Sequence, residues 1–68
     1  MPKDFRTLFH NVFDENEEVR LCGREACKAL IIAMEDAFPG ESFGNRETGF
    51  MDIFKIKRFY HKTYGKNA

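Results

Sequence analysis

Hydrophobic positions recur every three or four residues in three stretches of this chain, and this spacing predicts three amphipathic helices. The longest stretch is residues 23–38, where apolar side chains occupy an arc of about 140° on a helical projection. The arc comprises Ala26, Cys27, Leu30, Ala33, Met34, Ala37 and Phe38, with Ala29 and Ile31 at its edges. Because so wide a stripe can contact two elements at once, we expect this second helix to be the central, buried one. Pro39 and Gly40 mark its end, since they suit the central positions of a type II turn.

The opposite side of the second helix is polar, and it contains one apolar residue, Ile32. The polar members are Arg24, Glu25, Lys28, Glu35 and Asp36, of which the last two are expected to be solvated. A single exposed isoleucine is common on protein surfaces and requires no function. The alternative is that Ile32 forms the centre of a contact patch for a partner protein. The first interpretation is favoured, because isolated apolar residues on surfaces are the norm.

The other two helices are predicted at residues 4–14 and 52–64. The first has an apolar stripe of Phe5, Leu8, Phe9, Val12 and Phe13, which we expect to cover the second helix. The third has an apolar face of Ile53, Ile56, Phe59, Tyr60 and Tyr64. Asp52 can cap its start, and Gly65 can stop it. The predicted fold class is mostly α: a small single domain of three helices over residues 1–68.

Residues 39–51 are the longest stretch without a periodic pattern, and they predict a long loop or loose hairpin between the second and third helices. Gly44 and Gly49 bracket its polar tip. Phe43 and Phe50 flank these glycines, and we expect both phenylalanines to pin the loop in the core. Long loops in small domains often carry function.

The segment between the first two helices contains a short alternating pattern at residues 19–21. This pattern favours an extended piece that pairs with Phe50 and Met51 as one short two-stranded β-ribbon. In the alternative, the second helix begins near residue 15 and bends at Gly23. The ribbon is favoured, because a glycine inside a helix costs about 1 kcal/mol relative to alanine.

Composition and charge narrow the classes of function. The 68 residues include 8 Phe, a composition typical of a globular chain and not of a disordered one. The formal net charge is zero, so no overall field attracts nucleic acid. Residues 1–40 carry five Lys/Arg against eight Asp/Glu, and residues 41–68 carry six against three. This asymmetry could serve recognition, although helix-end charges and internal pairing explain it more simply.

No membrane span, metal or cofactor is expected. No stretch approaches the roughly 18 apolar residues that a membrane span needs, and the first residues lack the apolar core of a signal peptide. We therefore expect a cytoplasmic protein in which Cys22 and Cys27 stay reduced. No second close pair follows these cysteines, and Cys27 falls on the apolar arc, so zinc binding is not expected.

The sequence offers no catalytic residues to assign. His10 and His61 are single histidines on polar faces, without a neighbour in sequence that marks either as a general base. Gly44 and Gly49 have the spacing of a phosphate loop, but Phe50 stands where that motif requires lysine. We therefore expect a protein that is not an enzyme.

The strongest candidate surface is the basic side of the third helix, with Phe54 among its charges. Its polar members are Lys55, Lys57, Arg58, His61 and Lys62. Cations around an exposed ring can hold phosphates while the ring stacks on a base, or can meet an acidic protein with the ring as anchor. In the simpler interpretation, which is favoured, this side is solvated and Phe54 turns into the loop or the core.

Two functional hypotheses follow. The first is a non-enzymatic protein-interaction or regulatory module, such as a bacterial or phage accessory protein, that contacts another protein or a second copy of itself. Its candidate contacts are Ile32, Arg46, Phe54 and Arg58. The second hypothesis is a nucleic-acid-binding module, with candidate contacts Arg46, Phe54, Lys55, Arg58 and Lys62. The absence of net charge disfavours the second hypothesis, and the long link before the third helix disfavours a standard helix-turn-helix.

Overall fold

The computed structural model describes residues 5–13 and 23–66. Helix α1 spans Phe5–Phe13, α2 spans Gly23–Ala37 and α3 spans Ile53–Tyr64. Over these described ranges the structure contains three helices and no β-strand, so the predicted mostly helical, three-helix class is confirmed. The end of α2 differs from the prediction by one residue, and α3 begins at Ile53, directly after the predicted cap Asp52.

The hydrophobic core draws on all three helices and on the loop before α3. Its buried members are Phe5 and Phe9 of α1, Leu30, Ala33 and Met34 of α2, Phe43 of the loop, and Ile56 and Tyr60 of α3. The helical members occupy the periodic apolar positions of the sequence, because a helix can bury only one side against its neighbours. The role of α2 as the central helix stays a prediction.

A stacked pair of aromatic rings joins α1 to α3. The Phe9 and Tyr60 rings lie parallel, at an interplanar angle of 4° and a centroid separation of 3.7 Å. The Tyr60 hydroxyl forms a hydrogen bond of 2.9 Å with Nε2 of His10. His10 is therefore half-buried and bonded to the core, although the sequence placed it on a polar face.

The ends of α2 and α3 follow the local signals of the sequence. After α2, the Glu41 amide donates to the Phe38 carbonyl at 3.1 Å, and Gly40 has a φ of 87°, as a type II turn requires. At the start of α3, the Asp52 carboxylate accepts from the Lys55 amide at 3.3 Å. These bonds satisfy backbone groups that a helix end would otherwise leave without partners.

The predicted β-ribbon is not supported. Met51 forms a single antiparallel bridge, and its partner is Gly44 of the same loop. Residues 19–21, and the alternative helix start near residue 15, lie outside the described residues. Gly44 and Met51 are close in sequence, so bringing them together costs less loop-closure entropy than pairing two distant segments.

Candidate functional site

Three of the four exposed large apolar residues among the described ones are close in sequence, where the loop leads into α3. Phe50 is 80% exposed, Phe54 is 88% exposed and Ile53 is 44% exposed. We call these three residues the apolar patch. The prediction that Phe50 pins the loop in the core is wrong, as is the interpretation in which Phe54 turns inwards. Ile53, assigned to the core side of the third helix, is also exposed.

Backbone geometry explains why Phe50 faces outwards. The neighbouring residue, Met51, forms the bridge with Gly44 and packs against the core. Successive side chains of an extended backbone point to opposite sides, so when Met51 takes the inner position, Phe50 takes the outer one. Phe43, at the other end of the loop, is fully buried as predicted.

Glu35 of α2 fixes the loop that carries the patch. Its Oε2 accepts a hydrogen bond of 3.1 Å from the Phe43 amide, and its Oε1 accepts from Nε of Arg46 at 2.9 Å. The Glu35 side chain is only 15% exposed, so the prediction of a solvated carboxylate is wrong. No sequence pattern signals this contact, because Glu35 lies on the predicted polar arc and its partners lie in a different element.

Asn45 closes the loop on itself. Its amide donates to the Phe50 carbonyl at 2.8 Å, and its carbonyl accepts from the Gly49 amide at 2.9 Å. Its side-chain oxygen also accepts from the amides of Glu47 and Thr48, at 2.8 and 3.0 Å. The backbone that precedes the patch is therefore held by hydrogen bonds within the loop as well as by Glu35.

The two loop glycines serve close packing. At Gly44, where φ is 146°, a Cβ would collide with the Phe50 carbonyl oxygen and would lie 2.9 Å from Cα of Met51. At Gly49, where φ is 84°, a Cβ would lie 3.1 Å from the carbonyl oxygen of Arg24 at the start of α2. Close packing of the loop therefore explains why glycine occupies both positions, although their spacing resembles that of a phosphate loop.

Two of the predicted cationic contacts are already paired with carboxylates. Arg46 is held by Glu35, as described above. Lys55 lies 2.9 Å from a carboxylate oxygen of Glu41, and its Nζ lies 5.2 Å from the centroid of the Phe43 ring. Both cations therefore help to attach the loop to the helices, which makes them less available to an external anion.

The other predicted contacts of α3 form a continuous exposed row. Phe54, Arg58 and Lys62 follow one another at intervals of four residues, and all three are exposed. Residues four apart lie on the same side of a helix, one turn above each other. We call this row the α3 ridge. Ile32, 42% exposed, belongs to a different helix, α2.

The cations of the α3 ridge lie against one aromatic ring. The Arg58 guanidinium carbon is 5.6 Å from the centroid of the half-buried Phe59 ring, and Nζ of Lys62 is 5.5 Å from it. Lys55 lies 5.9 Å from the same centroid. Among the described residues, Glu41 pairs with Lys55, and no carboxylate pairs with either ridge cation.

Over residues 5–13 and 23–66, the structure contains no enclosed pocket and no convergent group of three potential metal ligands. None of the helices in these ranges has the length and apolar character needed to cross a bilayer. Comparisons with models of protein families, with curated proteins and with solved structures find no match to this chain.

Proposed function

We propose that this chain is a protein-interaction module that binds another protein through the apolar patch. The observation that carries the proposal is the exposure of two phenylalanines, Phe50 at 80% and Phe54 at 88%, within five residues of each other. Burying a phenylalanine side chain contributes about 1.5–3 kcal/mol. The isolated chain gains little of this from either ring, whereas a partner that covers both rings recovers it.

Aromatic residues, including phenylalanine, and arginine are enriched at protein interfaces. Phe54 and Arg58 are one helical turn apart, so a single partner surface can contact both. Ile32 offers a second, smaller contact on α2. Arg46 contributes mainly by holding the loop, because its Nε is bonded to Glu35.

A nucleic-acid-binding module is the alternative. It would use Phe54 for stacking and the basic residues of the loop and α3 for phosphates. Arg46 and Lys55 are paired with carboxylates, and an anionic strand would have to displace these. The absence of net charge also gives little long-range attraction for a polyanion. Both points favour a protein partner.

The proposal describes a small, non-enzymatic regulatory or accessory protein of a bacterial or phage cytoplasm. Size alone suggests this setting. The choice of a binding role over a catalytic one rests on the exposed patch, which supplies anchoring groups and no titratable group suited to proton transfer.

Affinity capture from a bacterial lysate, with and without nuclease treatment, tests the proposal. We expect discrete proteins to bind the tagged chain, to be lost with Phe54→Ala and to be kept with Ile32→Ala. Ile32→Ala is the matched control, because it removes an exposed apolar side chain from another helix. If the captured proteins are lost with Ile32→Ala and kept with Phe54→Ala, the interface lies on α2 instead. Capture of nucleic acid that disappears with nuclease would support the alternative.

A second copy of the chain is one partner that the capture experiment would miss. Sedimentation equilibrium of the purified protein at increasing concentration detects it. Self-association that Phe54→Ala abolishes would assign the patch to a homodimer interface. A monomer at all concentrations would leave a different protein as the partner.

A further inference from the structure

We infer that the partner of the apolar patch is an acidic protein surface, and that Arg58 and Lys62 of the α3 ridge select it. This inference rests on the proposed function, because it adds the chemistry of the partner to a surface already proposed to bind protein. The partner would present an apolar recess for Phe54, with carboxylates one and two helical turns farther along.

The spacing of the α3 ridge defines this complementarity. A helix rises about 1.5 Å per residue, so Arg58 lies about 6 Å and Lys62 about 12 Å along the axis from Phe54. All three side chains are exposed on the same side of α3. One partner surface can therefore cover the ring and reach both cations without any rearrangement of the helix.

The charges around Phe59 provide the electrostatic argument. Three cations, Lys55, Arg58 and Lys62, lie within 5.9 Å of its ring centroid. Glu41 neutralises the first of them, and no carboxylate of the described residues neutralises the other two. Contact with the Phe59 ring restrains each cation. The ridge is therefore a preorganised pair of positive charges beside an apolar anchor.

A protein partner fits this surface better than either of two polyanions, DNA and an anionic membrane. DNA binding by charge depends on neutralising many phosphates, whereas the α3 ridge offers two cations that no carboxylate of the described residues pairs with. Recognition of an anionic membrane typically uses a cluster of about 4–8 basic residues, whereas the α3 ridge supplies two beside three apolar side chains. Two cations beside one anchor match the scale of a protein contact, in which a few central residues dominate the affinity.

Three synthetic helical peptides of equal length provide a direct test. All carry the same stripe of leucines, and their polar faces are built from glutamate, glutamine or lysine. We expect the glutamate peptide to bind the intact chain at least about tenfold more tightly than the glutamine peptide, by fluorescence anisotropy at fixed salt. We expect Phe54→Ala to weaken this binding by a similar factor.

Charge reversal then tests the selecting residues. Arg58→Glu should abolish the preference for the glutamate peptide, because the ridge then carries one negative and one positive charge. Lys28→Glu is the matched control, because it makes the same change of net charge on α2, where Lys28 pairs with Glu25 at 3.3 Å. The control should keep the preference for glutamate, which separates a local contact from a general effect of net charge.

Other outcomes overturn the inference. Equal binding of the glutamate and glutamine peptides would leave the apolar patch as a binding surface but remove the role of the ridge cations. Tighter binding to a DNA duplex, or to vesicles containing anionic lipid, would replace the protein partner with that polyanion. Absence of binding to all three peptides would reject an acidic amphipathic partner. The capture experiment with Phe54→Ala would still decide the proposed function by itself.

Discussion

The Glu35 carboxylate of α2 lies 2.9 Å from Nε of Arg46 at the tip of the loop, and it also accepts a hydrogen bond of 3.1 Å from the Phe43 amide. The two bonds differ in their surroundings. The Arg46 side chain is 56% exposed, so solvent screens its charge, whereas Phe43 is fully buried. We therefore expect the backbone bond to stabilise the loop more than the ion pair does.

Replacement of the two partners should separate these contributions. We expect Glu35→Ala to lower the free energy of unfolding by about 1–2 kcal/mol, because it leaves a partly buried amide without its acceptor. Arg46→Ala should lower it by less than about 0.5 kcal/mol, since exposed ion pairs contribute little. Urea unfolding measures both changes, and Asp36→Ala, at an exposed carboxylate of the same helix, is the control. Equal losses for Glu35→Ala and Arg46→Ala would show that the ion pair is the dominant bond.

The second prediction concerns the closest approach within the loop. A Cβ on Gly44 would collide with the Phe50 carbonyl oxygen and would crowd Cδ1 of Ile31 at 3.1 Å. Gly40 also has a positive φ, 87°, but no atom lies within 4 Å of the Cβ position there. We expect Gly44→Ala to destabilise the protein by about 1–3 kcal/mol more than Gly40→Ala, because only the first forces the backbone apart. Thermal unfolding followed by circular dichroism measures the difference, and equal losses would mean that the loop relaxes freely.

Local patterns were sufficient to predict the helices but not the loop. The apolar period located α1, α2 and α3, and Asp52 caps α3 as expected, because these signals act over a few residues of chain. The position of Phe50 could not be read in this way. Whether Phe50 or Met51 faces the core depends on which of the two pairs with Gly44, and the sequence does not specify that register.

The candidate surface was predicted only in part for a similar reason. Phe54 stood out because it is an aromatic residue on a basic helix side, and it is exposed. Charge alone did not show which cations were available, since Arg46 and Lys55 find carboxylates in other elements. Pairing across elements is a tertiary property that the periodicity of a single helix does not report.

The third prediction addresses the bond between α1 and α3. Tyr60→Phe removes the hydroxyl that bonds His10 at 2.9 Å and keeps the ring stacked on Phe9. We expect a loss of about 0.5–1.5 kcal/mol in the free energy of unfolding. Tyr60→Ala also removes the stacked ring and should cost about 3–5 kcal/mol.

A double-mutant cycle isolates the hydroxyl bond of Tyr60. His10→Leu should cost less when it is made in the Tyr60→Phe protein than in the original chain, because the bond is then already absent. A coupling energy near zero by urea unfolding would contradict the bond. The cycle requires both single variants to remain folded, which circular dichroism verifies.

The last prediction separates binding from folding at three phenylalanines. Phe43→Ala removes a fully buried ring and should cost about 3–5 kcal/mol, enough to unfold much of so small a domain. Phe50→Ala and Phe54→Ala remove rings that are 80% and 88% exposed, and each should change the free energy of unfolding by less than about 0.5 kcal/mol. Urea unfolding of the three variants measures this. If Phe54→Ala abolishes capture of a partner while leaving stability unchanged, the ring is present for binding and not for the fold. A loss of stability at Phe54 comparable to that at Phe43 would instead make the ring a structural element, and the interface would then have to be sought at Ile32.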